Sequence, residues 1–393
     1  MTPPPAHAVV SAPANSLARR APSPPFRADH VGSLLRPLAL ERARALVAKR
    51  AIGAAELQAV EDAAIAEAVA LQQSLGFKGV TDGELRRAYF HLDFLAQIEG
   101  IESYVDPHAS AHFRKTDGEV FDFSPPRLRV TRKLRRRAPI MGRDFRFIDS
   151  QVVGDGVAKL TIPSPTMALR AGRAGVDPDV YPDLEDFTAD LTAVYREEVA
   201  DLTVAGCRYL QLDDTNLAYL CDHHHCDAAR ARGEDPDHLP EAYAKLINDS
   251  LSGVPDDVFT AIHLCKGNFR SAFAAEGGYD PIAEAMFNLI DIDAFLLEYD
   301  DERSGSFEPL KYLPKGKYVV LGLISSKSPV LETKDEIKRR IDQAARFAPI
   351  EQLCLSPQCG FASTEHGNDI SFDDQRRKLE LVVECAREVW GQG

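Results

Sequence analysis

Eight short apolar runs, each closing on polar, glycine or proline residues and most followed by a helical stretch, constrain this chain more than any other feature. They occupy residues 26–33, 76–84, 157–164, 207–214, 258–265, 295–298, 318–324 and 353–356. Runs of this length with little polar alternation read as parallel strands buried on both faces. Strand and helix alternating eight times predict an α/β fold, a (β/α)8 TIM barrel. An open doubly wound sheet is the alternative. The first run is not followed by a glycine-rich dinucleotide fingerprint, which lowers that alternative.

Two segments stand outside the alternation. Residues 1–25 are rich in Pro, Ala and Ser and lack the continuous apolar stretch of a signal peptide, so they read as a disordered extension. Residues 26–393 then form one barrel domain. Within it, from about 85 to 156, aromatic and basic clusters, Pro125-Pro126 and alternating stretches such as 127–133 predict an insertion carrying a small antiparallel ribbon. Its expected place is the C-terminal face of the barrel.

The chemistry collects where the strands end. His263 and Cys265 are two residues apart, so on a strand both point to the same side. Glu298 closes the sixth run, and Cys359 follows the eighth. Imidazole, thiol, carboxylate and thiol make a donor set that zinc accepts, and active sites of such barrels sit on this face. Taken singly, such residues are more often core or loop positions than ligands. Cys221-Asp-His-His-His-Cys226 also looks like a metal box, but its adjacent histidines point in different directions within a polar segment. The basic run 132–137 could attract an anionic substrate or serve as a solvated face.

Composition excludes several function classes. A net charge of −14 argues against a nucleic-acid partner. No run is long enough to span a membrane. Seven scattered cysteines fit reduced thiols in a cytoplasmic enzyme better than a disulfide framework.

Several motifs recur on successive strands: His-Val-Gly-Ser at 30–33, Asp-Gly-Glu at 82–84, Gln-Leu-Asp at 211–213, His-Leu-Cys at 263–265, Leu-Leu-Glu at 296–298 and Pro-Gln-Cys-Gly at 357–360. In this order the chain from Phe26 onwards resembles the cobalamin-independent methionine synthase family, in its short single-barrel form. The resemblance implies that His263, Cys265, Glu298 and Cys359 bind Zn2+, and that Ser33, Glu84 and Asp213 hold the amino-acid part of homocysteine. It implies a methyl group passing from a methylated folate to the homocysteine thiol. Two departures stand out. The chain leaves no room for the family's second, N-terminal barrel. The family's proton-donating histidine after the seventh strand is also missing; Ser325-Ser-Lys327 stands there, and Lys327 is the substitute candidate, unless it is a solvated charge. The alternatives are another zinc-dependent alkyl transfer, of the epoxyalkane:coenzyme M transferase kind, and a non-catalytic zinc- or thiol-binding protein.

Overall fold

The computed structural model describes residues 24–106, 111–115 and 117–391. The expected extension, 1–25, lies outside the described residues except for Pro24 and Pro25. The chain opens with α1 (Leu38–Ala48), α2 (Ala54–Leu75) and β1 (Gly79–Val80). Then come α3 (Leu92–Leu95), β2 (Glu99–Tyr104), β3 (Ala111–Arg114), β4 (Val120–Phe123) and β5 (Arg127–Arg135). Next are α4 (Gly142–Gln151), β6 (Val157–Pro163), α5 (Leu184–Val204), β7 (Tyr209–Asp214), α6 (Asn216–Tyr219) and α7 (His223–Ala231). The last part holds α8 (Leu239–Leu251), β8 (Phe259–Leu264), α9 (Ala283–Leu289), β9 (Ala294–Glu298), β10 (Tyr318–Ile324), α10 (Lys334–Ala344), β11 (Leu353–Pro357) and α11 (Phe372–Trp390).

Seven of these strands form one curled parallel sheet, in the order β1-β6-β7-β8-β9-β10-β11. Helices cover its convex side with the main apolar core, and α11 starts where its sequence says it should, with Ser371 accepting the Asp374 N–H as N-cap. The register sets Pro163 beside Asp213, Asp213 beside His263, and Glu298 beside Gly322. Side chains two apart share a face. Lys159, Thr161, Gln211, Asp213, His263 and Glu298 therefore line the concave side, with the chemically active ones towards the strands' C-terminal ends.

The first of the eight expected strands is where the sequence expectation needs correcting: the sheet has seven strands, not a complete eight-stranded ladder. The segment 26–33 fills the gap beside β11 but makes only one parallel bridge, Ala28 to Leu355. The Asp29 N–H donates to the Leu355 carbonyl, and the Leu355 N–H to that of Arg27, both at 2.9 Å. Beyond that, side chains take the carbonyls that a ladder would use. Lys159 Nζ reaches His30 O at 2.7 Å, Gln211 Nε2 reaches Val31 O at 2.6 Å, and Thr81 Oγ1 reaches Gly32 O at 2.7 Å. The second strand shrinks for a related reason. The Gln72 amide satisfies both the N–H and C=O of Thr81, at 2.8 and 2.9 Å, leaving β1 two residues long.

The insertion contains two antiparallel pairs, β2 with β5 and β3 with β4. It is shorter than 85–156, because α4 buries Phe145 and Ile148 and belongs to the helix layer. Among the described residues no helix is long and apolar enough to cross a membrane.

The Lys159–Asp29 pair, 2.9 Å and almost fully buried, fastens the irregular segment to the sheet. Burial alone pulls the Lys159 ammonium below its ordinary pKa, and Asp29 opposes that. Lys159→Met leaves Asp29 without its counter-ion and should cost about 3–5 kcal/mol in urea unfolding, the usual cost of breaking a buried pair from one side. Adding Asp29→Asn should recover part of the loss. A double variant no more stable than the single one would show that the pair is not what fastens the segment.

Candidate metal centre and substrate cavity

Strand ends from three parts of the chain meet at one point. His263 lies on β8, Cys265 just beyond it, Glu298 ends β9, and Cys359 follows β11. Their four donor atoms lie within 4.8 Å of one another, and all four residues are buried. The two sulfurs are 3.5 Å apart. That is far beyond a disulfide's ~2.05 Å. It is near the ~3.8 Å separation expected when two thiolates, each bonded at ~2.3 Å, share one tetrahedral metal. His263 Nδ1 lies 3.3 Å from the Leu296 carbonyl, which fixes Nδ1 as the protonated nitrogen. Nε2 is left buried with no hydrogen-bond partner, the position of a metal-ligating nitrogen. The donor chemistry and these two observations fit zinc.

Electrostatics keep the cluster anionic. Burial would push the Glu298 carboxyl up, but Lys327 and Arg303 outweigh it and hold the group at about 2. Oε2 faces Arg303 at 3.4 and 3.5 Å and Lys327 at 3.7 Å, while Oε1 accepts the Lys266 N–H at 2.7 Å. The two thiols divide their roles. A hydrogen bond from Cys265, aided by His263, draws Cys359 well below its ordinary pKa, and the same contact pushes Cys265 up.

Above this cluster opens a cavity of about 440 Å3. His263, Cys265 and Cys359 reach into it, and so do Ser33, Glu84 and Asp213. Asp213 Oδ1 accepts from Gln211 Nε2 at 2.7 Å. Burial, then the neighbouring Glu84 carboxyl, pushes Asp213 up to about 7. Burial also raises Glu84, against the pull of Arg87 and Arg36. Glu84 Oε1 accepts the Thr161 hydroxyl at 3.1 Å, and Oε2 has no hydrogen-bond partner. Its backbone is left-handed, φ 56°, a costly setting for a non-glycine residue. Ser33 Oγ accepts the Ala362 N–H at 3.3 Å and sits against Gly360, where a Cβ would come within 1.9 Å of it. The glycine after Cys359 is what lets the two strand ends approach.

The remaining sequence candidates fall elsewhere. Lys327 is buried, not a solvated charge; it faces Glu298 and does not line the cavity. The 221–226 run is no polar loop. Asp222 caps α7 by accepting the His224 N–H at 2.9 Å, and His225 stacks on Tyr219 at 4.1 Å. In the run 132–137, Arg136 pairs with Glu198 at 2.7 Å and Arg137 with Glu99 at 2.6 Å. Sequence reasoning missed Arg303, which sets the charge of Glu298 from a loop. It also missed the aromatic wall of Phe113 and Phe123 from the insertion and Phe269 from beyond β8; Phe123 and Phe269 stack at 4.1 Å. No periodicity marks such loop residues. The Gly-Asn turn at 267–268 was the one available signal there.

Comparison with known proteins agrees with this geometry. The family profile for the catalytic domain of cobalamin-independent synthases matches residues 159–388. The uncharacterized protein YxjH of Bacillus subtilis is 42% identical over 93% of this chain and 95% of its own. The crystal structure of a candidate vitamin-B12-independent methionine synthase from Listeria monocytogenes superposes with a TM-score of 0.75 at 34% identity, over 94% of this chain and all of that one. A B12-independent methionine synthase from Shewanella, solved with selenomethionine, shares the fold at TM-score 0.69 and 20% identity, over 93% and 97% of the two chains.

Asp213 yields a pH-dependent prediction. Its folded pKa of about 7 lies above the ~3.9 of an unfolded Asp, so the folded state holds the proton more tightly. Its contribution to stability is unpenalised at pH 4 and falls as pH rises to 7. Asp213→Asn should therefore raise the melting temperature of the ligand-free protein at pH 8 by several degrees, and by less at pH 5. Equal shifts at both pH values would mean that Asp213 is not strained by burial.

Proposed function

The chain belongs to the cobalamin-independent methionine synthase family, and from that premise we propose that it is a zinc-dependent methyltransferase, moving a methyl group from 5-methyltetrahydrofolate to the thiol of homocysteine to give methionine. The observation that carries the reading is the meeting of two chemistries in one cavity: a His/Cys/Glu/Cys cluster within 4.8 Å, and a pair of buried acids beside it.

His263, Cys265, Glu298 and Cys359 would hold the zinc, whose chemistry here is to lower the pKa of a substrate thiol and favour its thiolate. Glu84 and Asp213 grip the substrate ammonium. That cation offsets the repulsion that holds Asp213 near 7 in the free protein, so binding and ionisation of the acid pair reinforce each other. The Ser33 hydroxyl is available to the substrate carboxylate. The aromatic wall gives a flat-ringed methyl donor a surface to stack on and keeps water from the thiol. Lys327 acts through Glu298: with Arg303 it keeps that carboxylate charged. An epoxyalkane:coenzyme M transferase would bring a sulfonate into this cavity, and two buried acids are the wrong partners for it.

The test pairs metal content with product. Cys265→Ser and Cys359→Ser should each lose metal retention beyond the roughly 10–100-fold typical of outer-shell changes, and with it turnover. Glu298→Gln should keep more metal than either. Elemental analysis and mass spectrometry of methionine formed from homocysteine read the two outcomes. Full activity in Cys359→Ser would sink the zinc mechanism. Metal binding without methionine from any folate donor would point to the binding-protein alternative.

A further inference from the structure

Cys359 stands outside the ladders that place the rest of the metal cluster. His263, Cys265 and Glu298 come from β8 and β9, which are neighbours in the sheet. There Leu264 pairs with Leu297, the Cys265 N–H donates to the Asp214 carbonyl at 2.7 Å, and Glu298 Oε1 accepts the Lys266 N–H at 2.7 Å. Cys359 comes from β11, and β10, which brings no member of the cluster, lies between β9 and β11. The β10–β11 pairing ends with Ile324 beside Pro357. The Gln358 N–H still reaches the Ile324 carbonyl at 2.8 Å, and Cys359 lies beyond it. Yet its sulfur is 3.5 Å from that of Cys265. Something other than the sheet sets that distance.

A ring of hydrogen bonds is in place to do so. Asn268, three residues past Cys265, donates through Nδ2 to the Gly360 carbonyl at 2.7 Å and to the Ser363 hydroxyl at 3.2 Å. The Gly360 carbonyl also accepts the Ser326 hydroxyl at 3.0 Å, from the loop after β10. The Ser326 carbonyl in turn accepts Asn368 Nδ2 at 2.8 Å. Asn368 Oδ1 accepts the Ser271 N–H at 3.0 Å, which returns to the loop that carries Asn268. The loops after β8, β10 and β11 are thus joined, and the carbonyl that two of them grip is the one next to Cys359.

The ring is closed at a backbone cost. Arg270 and Ser271 are both left-handed, φ 50° and 65°, in a two-residue turn closed by the Phe269–Ala272 pair at 3.0 and 3.1 Å. Turns with two such residues ordinarily take Asn-Gly or Gly-Gly. Strain of this kind persists only where the surroundings over-determine it. Ser271 has such surroundings: Asn368 holds its N–H, and its Oγ accepts the Asp369 N–H at 2.9 Å. Asn268 carries a second cost, because its Oδ1 is buried without a hydrogen-bond partner. Neither feature is what packing for stability alone favours.

We propose that Asn268, through this ring, is a positioning residue for the metal centre: it sets the spacing of the Cys265 and Cys359 sulfurs in the protein itself, so that the site is shaped before a metal arrives. The inference rests on the metal reading above. It also gives the end of β10 a task, since Ser326 links the other two loops.

The test uses the whole metal-free protein and cobalt(II), whose visible and near-ultraviolet bands report a tetrahedral thiolate site without any turnover. The wild type should take up Co2+ with such bands. Asn268→Leu removes both donors at similar volume. It should bind Co2+ at least tenfold more weakly in competition with a chelator, within the ~10–100-fold typical of outer-shell changes, and with weakened or displaced bands. Asn368→Ala opens the ring at another point and should do the same. Asn268→Gln keeps the amide and should recover part of the affinity. Leu379→Ala, a truncation of a buried residue in α11, should lower the melting temperature but leave affinity and bands as in the wild type. Wild-type affinity and bands in both Asn268→Leu and Asn368→Ala overturn the positioning role and leave the metal reading standing. Equal weakening in Leu379→Ala overturns it too, because lost fold stability would then account for the effect. A wild type that shows no thiolate bands with Co2+ overturns the metal reading itself, and the positioning role falls with it.

Discussion

A buried carboxylate held ionised by two buried cations underlies the centre. Glu298 is fully enclosed, and burial by itself favours its protonation. A protonated Glu298 would be a poor ligand, and the donor set would lose its hard member. Lys327 and Arg303 face its Oε2 and reverse that preference, while Oε1 accepts the Lys266 N–H. Replacing either cation with an apolar residue would change the ligand's charge without touching a ligand, which distinguishes them from residues that merely fill space.

The same economy ties the irregular first segment to the site. Gln211 donates through Nε2 to Val31 O and to Asp213 Oδ1, at 2.6 and 2.7 Å. One side chain therefore both holds the 26–33 segment and orients an acid in the cavity. Ser33 lies two residues beyond Val31 and reaches across to the Ala362 N–H, just past Cys359. A regular ladder strand at 26–33 would engage its carbonyls with a neighbouring backbone. Here side chains engage them instead, and one of these, Gln211, also holds a site residue.

Much of this was legible in the sequence, and the reason is geometric. In a parallel sheet every strand points the same way, so a polar residue ending an apolar run is placed on one known face. That rule put His263, Cys265, Glu298 and Cys359 on one face without knowledge of the loops, and the family resemblance added Ser33, Asp213 and Glu84. It failed where side chains replace backbone partners, as at Gly32 and Thr81, because no run length records a carbonyl taken by a lysine or glutamine. It also failed for Arg303 and the aromatic wall. Those residues reach the site from loops and the insertion, whose paths are set by tertiary packing and carry no period. The basic run 132–137 misled for the opposite reason: its charge is visible in sequence, but its carboxylate partners at 99, 102 and 198 are not.

Buried polar atoms with no hydrogen-bond partner are costly, and a well-packed chain keeps few of them. In this protein several stand together on the concave side: Glu84 Oε2, Gln211 Oε1, His263 Nε2 and Asn268 Oδ1. Arg87 Nη1 beside Glu84 and Lys327 Nζ beside Glu298 are unpartnered too, so the residues around the cavity hold an excess of unmet hydrogen-bonding groups. Glu84 adds a strained backbone, and Asp213 adds a carboxyl that burial pushes towards neutrality. Such an excess is not explained by stability, since apolar residues of similar size would fold the same sheet more cheaply. It is explained by ligands that bring donors and positive charge: a metal ion at the sulfur end and an ammonium group at the acid end. The side chains that weaken the empty protein are those that the two ligands would satisfy.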